Sequence, residues 1–272
     1  MVNAVLMAGY SHDKGNYEDR ADPFIEIAGK ANVKWVYEAL RATSAVDKIV
    51  VVGHKKGLEK ILGKNVDILD SDGTIVENGL RGYEHLSKGP TLFVAKDVPL
   101  LMPDHVQRFI LNCDMNKGDV YVPFVSCRHI KKIVPDDYHR KLRYLNVFRN
   151  HEGERDEIRL GNMLMVNPDN VERLRIINTL YAKSTLRRID NKIMAGLYGV
   201  YYGVRYQPRV FGVVLDAFTR RLSYEKAERA ASGLLGTRLK IVESEDAETA
   251  LDVDWEIEDL PVIEKLLEER LN

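Results

Sequence analysis

Four short apolar runs, each stopped by a glycine or a polar residue, constrain this chain more than any other feature. They are Asn3–Ala8, Asp47–Gly53, Thr91–Ala95 and Val120–Val125. Asp47–Gly53 is the most β-branched of them, and apolar runs of this length are expected of strands buried on both faces. Between them lie segments of helical spacing. Val33, Val36, Tyr37 and Leu40 mark one, Gly57–Leu62 a second, and Thr74–Leu86 a third despite Gly79 and Gly82. A fourth opens at Pro103-Asp104, with Val106, Phe109 and Ile110 on its apolar face; proline suits a first helical turn. A brief strand is also read at Val66–Leu69. Strand and helix in alternation predict a three-layer, Rossmann-like α/β fold: a mostly parallel sheet with helices on both faces.

The second half is less regular. Residues 128–160 are rich in His, Arg, Lys and Asp and read as an insertion, either carrying substrate contacts or forming a solvated flap. Gly161–Val166 returns to a strand pattern, and residues 169–218 are partly helical with many Arg and Tyr. Ser223 is placed to cap a helix, Arg238–Val242 is a late strand, and Glu258–Leu271 is an amphipathic closing helix with Leu260, Ile263 and Leu267 on one face. Two halves of one compact domain are expected, 1–127 with the regular strand-helix alternation and 128–272 with the irregular, partly helical insertion.

Composition narrows the function classes. Lys+Arg 40 against Asp+Glu 41 leaves a formal net charge of -1 in 272 residues, so the chain lacks the cationic excess of a phosphate-neutralising nucleic-acid binder. Cys113 and Cys127 are its only cysteines, which supports neither a disulfide framework nor a cysteine-rich zinc site. His129, His139 and His151 are too widely spaced for one. No apolar stretch is long enough for a transmembrane segment. No basic segment precedes Asn3 to mark a signal peptide. A cytoplasmic protein is the expectation.

In open α/β sheets, ligands bind beyond the carboxyl ends of the strands. Three such ends carry chemistry. Ala8-Gly9 runs into a long polar loop, where a glycine lets backbone N–H groups approach a phosphate; an ordinary connecting loop is the plain alternative. Asp97 follows a buried strand directly, a placement suited to a Mg²⁺ ion shared with nucleotide phosphates, or to capping. Asp252 and Asp254, two apart on an expected strand, would share a face and could meet one cation; a solvent-facing acidic edge is the alternative. His12 reads as a solvated loop histidine or a metal or phosphate ligand, and Arg187, Arg188, Arg205 and Arg209 as surface groups or acceptor-phosphate contacts. Tyr198, Tyr201, Tyr202 and Tyr206 read as core, a homodimer contact or a membrane-surface patch.

Four of these segments, in order, resemble the MobA-like NTP-transferase family of nucleotidyltransferases, whose fold is of the GT-A type. They are Asn3–Gly9; Ile25–Lys30 continuing into Val33–Leu40; Phe93–Leu101 with Asp97; and Leu251–Asp254 followed by Glu258-Asp-Leu260. The resemblance implies transfer of a nucleoside monophosphate from an NTP to a small phosphorylated or hydroxylated acceptor, with release of pyrophosphate. It implies that Ala8, Gly9, Tyr10, Ser11 and Lys30 line the triphosphate site, and that Asn78 contacts the base. Asp97, with Asp252 or Asp254, would hold Mg²⁺. The family's loop has a second glycine where Tyr10 stands, and a lysine where the count back from Lys30 falls on Asp22. Lys14 and Arg20 are the candidate replacements for that cation. Two alternatives stay open: a glycosyltransferase of the same fold using a nucleotide sugar, and a non-catalytic nucleotide-binding protein.

Overall fold

The computed structural model describes residues 1–9, 24–142, 144–178, 216, 222–253 and 260–271. In chain order these form β1 (Val2–Ala8), β2 (Glu26–Ile27), β3 (Lys30–Ala31), α1 (Asn32–Ala42), β4 (Val46–Gly53), α2 (Lys55–Leu62), β5 (Asp67–Asp70) and α3 (Ile75–His85). Then come β6 (Thr91–Ala95), α4 (Pro103–Leu111), β7 (Val120–Ser126), α5 (Cys127–Ile133), α6 (Asp136–Lys141), β8 (Leu145–Arg149), β9 (Arg155–Leu160) and β10 (Met163–Val166). α7 (Tyr224–Leu235), β11 (Leu239–Ser244) and α8 (Leu260–Leu271) close the described chain.

The main sheet runs β5-β4-β1-β6-β10-β7-β9-β8, with β11 on the other edge of β7. β4, β5 and β6 lie parallel within the first half, and β11 lies parallel to β7. Among the described strands of this sheet, only β9 and β10 run against the others, and β2 and β3 form a separate antiparallel pair. The expected mostly parallel α/β sheet is therefore present.

Alternation along β1 shows why both faces carry helices. Ala4, Leu6 and Ala8 pack with Val33, Val36 and Leu40 of α1, Leu58 of α2, and Val106 and Phe109 of α4. Val5 points the other way, with Val50, Val52 and Leu86 beneath α3. In the second half, Val120 and Phe124 meet Tyr224 and Leu235 of α7. Val125 faces Ile130 of α5 and Ile263 and Leu267 of α8.

Two expectations change. Residues 128–160 are not a flap: α5 and α6 cover the sheet, and β8 and β9 extend it. The apolar positions Ile130, Tyr138 and Ile158, spaced among the charges, are buried and account for this. Leu251–Val253 is not a strand; it follows a short 3₁₀ turn, Ala247–Ala250, and pairs in no ladder. The Arg/Tyr-rich stretch singled out above, including Arg187, Arg188, Arg205, Arg209 and the tyrosines from Tyr198 to Tyr206, lies outside the described residues.

Candidate active site

β1 lies between β4 and β6, and all three point their carboxyl ends at one rim. Ala8 is level with Gly53, which is level with Asp70 of β5; on the other side Met7 is level with Ala95. Gly9 and Asp97 therefore leave the sheet side by side. Gly53 permits this crowding, because a Cβ there would stand 2.5 Å from the Ala8 carbonyl oxygen.

Beyond β5 the chain turns through Ser71-Asp72-Gly73 before α3. Ser71 N–H donates to the Gly53 carbonyl at 3.1 Å. Thr74 caps the helix reciprocally with Glu77, whose Oε2 accepts from Thr74 N–H at 2.7 Å. Asn78, on the first turn, is buried. Its Oδ1 accepts from the N–H groups of Asp72 and Gly73, both at 3.3 Å, and its Nδ2 donates to the Gly73 carbonyl at 2.8 Å. Asn78 thus shapes the turn, and the turn adjoins the glycine: a Cβ on Gly9 would lie 3.5 Å from Ser71 Cβ.

On the other flank, Val253 N–H donates to the Asp97 carbonyl at 2.7 Å, joining the two aspartate segments by their backbones. The Asp252 carboxylate, read above as a metal ligand, is held by Arg159 of β9 at 2.6 Å, while Arg159 Nε donates to the Ala250 carbonyl at 2.9 Å. The sheet forks here. Pro123 offers no N–H to a ladder, and at Gly161-Asn162 the chain swings from β7 toward β6. Gly161 N–H bonds the Pro123 carbonyl at 2.9 Å, and Ala95 N–H bonds the Asn162 carbonyl at 3.0 Å. Beyond the fork, Tyr144 stacks near His139 at 5.1 Å between centroids, its phenol pushed up to about 12 by burial and then by Cys127 nearby.

The structure thus brings Ala8, Gly9, Asn78, Asp97 and Asp252 to one rim. It commits Lys30 elsewhere: the ammonium pairs with Glu38 at 2.5 Å and sits 3.8 Å from the centre of the Trp35 ring. Tyr10, Ser11, His12, Lys14, Arg20, Asp22 and Asp254 lie outside the described residues. Two groups were missed in the sequence. Lys96 donates to the Gly9 carbonyl at 2.9 Å. Arg159, in the charge-rich stretch, was betrayed only by the alternation of Asp156 and Ile158 inward along β9.

Asp97 and Asp252 offer hard carboxylate oxygens, and no group of three or more His, Cys, Asp or Glu able to cage a metal occurs among the described residues. A site of one or two carboxylates completed by substrate phosphates is the arrangement Mg²⁺ accepts.

A strand-turn rim of this kind, beyond the carboxyl ends of a mostly parallel sheet, is where α/β folds bind their ligands. The family model described as the MobA-like NTP transferase domain matches residues 4–191, and the chain belongs to that family of nucleotidyltransferases. A Pyrococcus furiosus protein described as a probable molybdenum cofactor guanylyltransferase is 27% identical over 167 residues, covering 60% of this chain and 79% of that protein. A Thermus thermophilus structure described as a hypothetical transferase superposes with a TM-score of 0.68 at 22% identity, over 96% of this chain and 100% of the other. The 4-diphosphocytidyl-2C-methyl-D-erythritol synthase of Anaerococcus prevotii has a TM-score of 0.51 at 12% identity, covering 98% of each chain. These two show the shared fold.

Proposed function

We propose that the chain transfers a nucleoside monophosphate from an NTP to a small phosphorylated acceptor, releasing pyrophosphate. The observation that carries this reading is the convergence of Gly9, the Asn78-held turn and Asp97 at one sheet rim, with the Asp252 segment bonded to it. The acceptor oxygen attacks the α-phosphorus in line. The bond from that phosphorus to the bridging oxygen breaks, and its electron pair leaves with pyrophosphate. An acceptor phosphate is already ionised, so attack needs no proton removed. The protein's work is then positioning and charge stabilisation.

In this reading the Gly9 backbone approaches the phosphates, and the Ser71–Gly73 turn lies where the base would sit. Asp97 would hold Mg²⁺, while the Asp252 carboxylate is engaged by Arg159 beside it. Bound there, the ion would offset charge on the phosphate oxygens.

The test is pyrophosphate release from each of the four NTPs with Mg²⁺ and a panel of phosphorylated small molecules. Release with at least one pair is expected, and Asp97→Asn lowers it on the order of 10²-fold or more. Turnover unchanged in that variant, or transfer only from a nucleotide sugar, overturns the proposal. Nucleotide-dependent thermal stabilisation without any product would point to a binding protein instead.

A further inference from the structure

We propose that His105 is a positioning residue for the rim: its neutral imidazole caps the stretch that carries Asp97 at a joint, shared with Glu248 and Arg270, to the stretch that carries Asp252, and a proton taken up there opens the joint. Its consequence for turnover rests on the NTP-transfer reading above; the joint itself does not.

The cap comes first. α4 begins directly after the Asp97 stretch, and His105 is its third residue, where a side chain can reach back to the residue before the helix. Its Nδ1 accepts from Met102 N–H at 3.2 Å. A neutral imidazole has one acceptor nitrogen, so this bond leaves the ring proton on Nε2. A second proton would turn Nδ1 into a donor facing a donor, and the cap would be lost.

The joint comes second. His105 Nε2 faces Glu248 of the 3₁₀ turn, 3.8 Å from Oε2. The other oxygen of Glu248 accepts from Arg270 of α8 at 3.1 Å, and Arg270 reaches on to the Leu100 carbonyl at 2.7 Å. Just past the turn, Val253 N–H bonds the Asp97 carbonyl. The stretch from Asp97 to Met102 is thus tied to the stretch from Glu248 to Val253 at both ends, and His105 stands at one of them.

Charge comes third. His105 is 7% exposed, and burial is the largest influence on its ring, holding it below the ordinary imidazole value of about 6.5. Glu248 and Asp246 draw a proton toward it, whereas Arg108 of its own helix and Arg270 of α8 repel one. Arg108 is itself paired with Asp246 at 2.6 Å. The closed joint therefore excludes the proton and is fully favoured above that ordinary value. As pH falls below it, the opened form gains up to about tenfold per pH unit for one proton.

The experiment follows amide exchange at 98–102 and 250–253, corrected for intrinsic rates, in wild type, His105→Gln and His105→Leu from about pH 5 to 8. Glutamine keeps an oxygen for Met102 N–H and has no proton to gain. Wild-type opening should rise up to about tenfold per unit below about pH 6.5. His105→Gln should stay flat, His105→Leu should be open throughout, and β4 should be unchanged in all three. By NMR, the His105 ring should titrate below about 6.5, and lower still in Glu248→Gln, which removes the anion. In pyrophosphate release, wild-type kcat should fall over the same range with KM little changed, and His105→Gln should lack that fall.

An equal rise of exchange in His105→Gln, or none in wild type, overturns the proposal. So does an acid fall of kcat that persists in His105→Gln. Should His105→Leu fail to fold, wild type against His105→Gln decides alone. Absence of any NTP turnover at all would remove the transfer reading and leave the joint to be decided by exchange and NMR.

Discussion

Asp119 shows how much one carboxylate can hold. It is 5% exposed at the start of β7. It accepts from Arg238 Nε at 2.7 Å, Arg238 Nη2 at 2.9 Å and Asn170 Nδ2 at 2.7 Å. Hydrogen bonds from Arg238, against the cost of burial, lower its pKa to about 2. Because the folded value lies below the unfolded one, its stabilisation is present above about pH 4 and is lost as pH falls toward 2. Asp119→Asn is expected to cost roughly 1–3 kcal/mol in urea unfolding at pH 7. The penalty should shrink on acidification through that window; an equal penalty at pH 3 would contradict the assignment. Gly9 and Asp97 were legible because a glycine or a lone carboxylate at a strand end is conspicuous in one dimension. Lys96, Arg159 and Asn78 were harder: what a long or amide side chain does depends on where its tip lands. Asn78 was noticed for its place on the first turn, yet its amide is spent on Asp72 and Gly73.

Among the elements, α3 was read correctly as a helix in spite of two glycines, and packing explains their presence. At Gly82 a Cβ would stand 2.6 Å from Val5 Cγ1 and 3.1 Å from Val52 Cγ2, so the helix can settle on β1 and β4 only without a side chain there. Gly82→Ala is expected to destabilise by about 1–2 kcal/mol, the overpacking cost exceeding the roughly 1 kcal/mol gain in helix propensity. Thermal unfolding would reveal it, and a neutral or stabilising result would mean that α3 can lift off the sheet at little cost. The central strands were legible from composition because burial on both faces demands apolar runs. Leu251–Val253 misled for the opposite reason. Its alternating acids imitate an edge strand, whereas the segment is fixed by the Asp97 carbonyl and by Arg159.

For the molecule as a whole, the closing helix is a fastener between distant parts. Ile263 and Leu267 are buried among Val125, Ile130, Leu100 and Ile27. Glu264 Oε1 accepts from Ala28 N–H at 2.9 Å, steadying a residue with φ 48° in the turn between β2 and β3. Arg270 donates to the Leu100 carbonyl at 2.7 Å and to Glu248 at 3.1 Å. Leu267→Ala is expected to cost about 2–5 kcal/mol. Amide exchange should rise across 25–31 and 98–101, on either side of the helix, while β4 stays protected; uniform loosening would show that the helix is no local fastener. This long-range role was invisible in the sequence, which displayed an amphipathic stripe without naming what it covers. The bond from Val253 to Asp97 carries a consequence for synthesis on the ribosome. A nascent chain can pair β1, β4, β5 and β6 as soon as they emerge. The carbonyl of residue 97, however, waits for a partner, Val253, that is made well after all four of these strands. The paired strands of the first half can therefore stand before the bond that ties the Asp97 segment to Val253 exists.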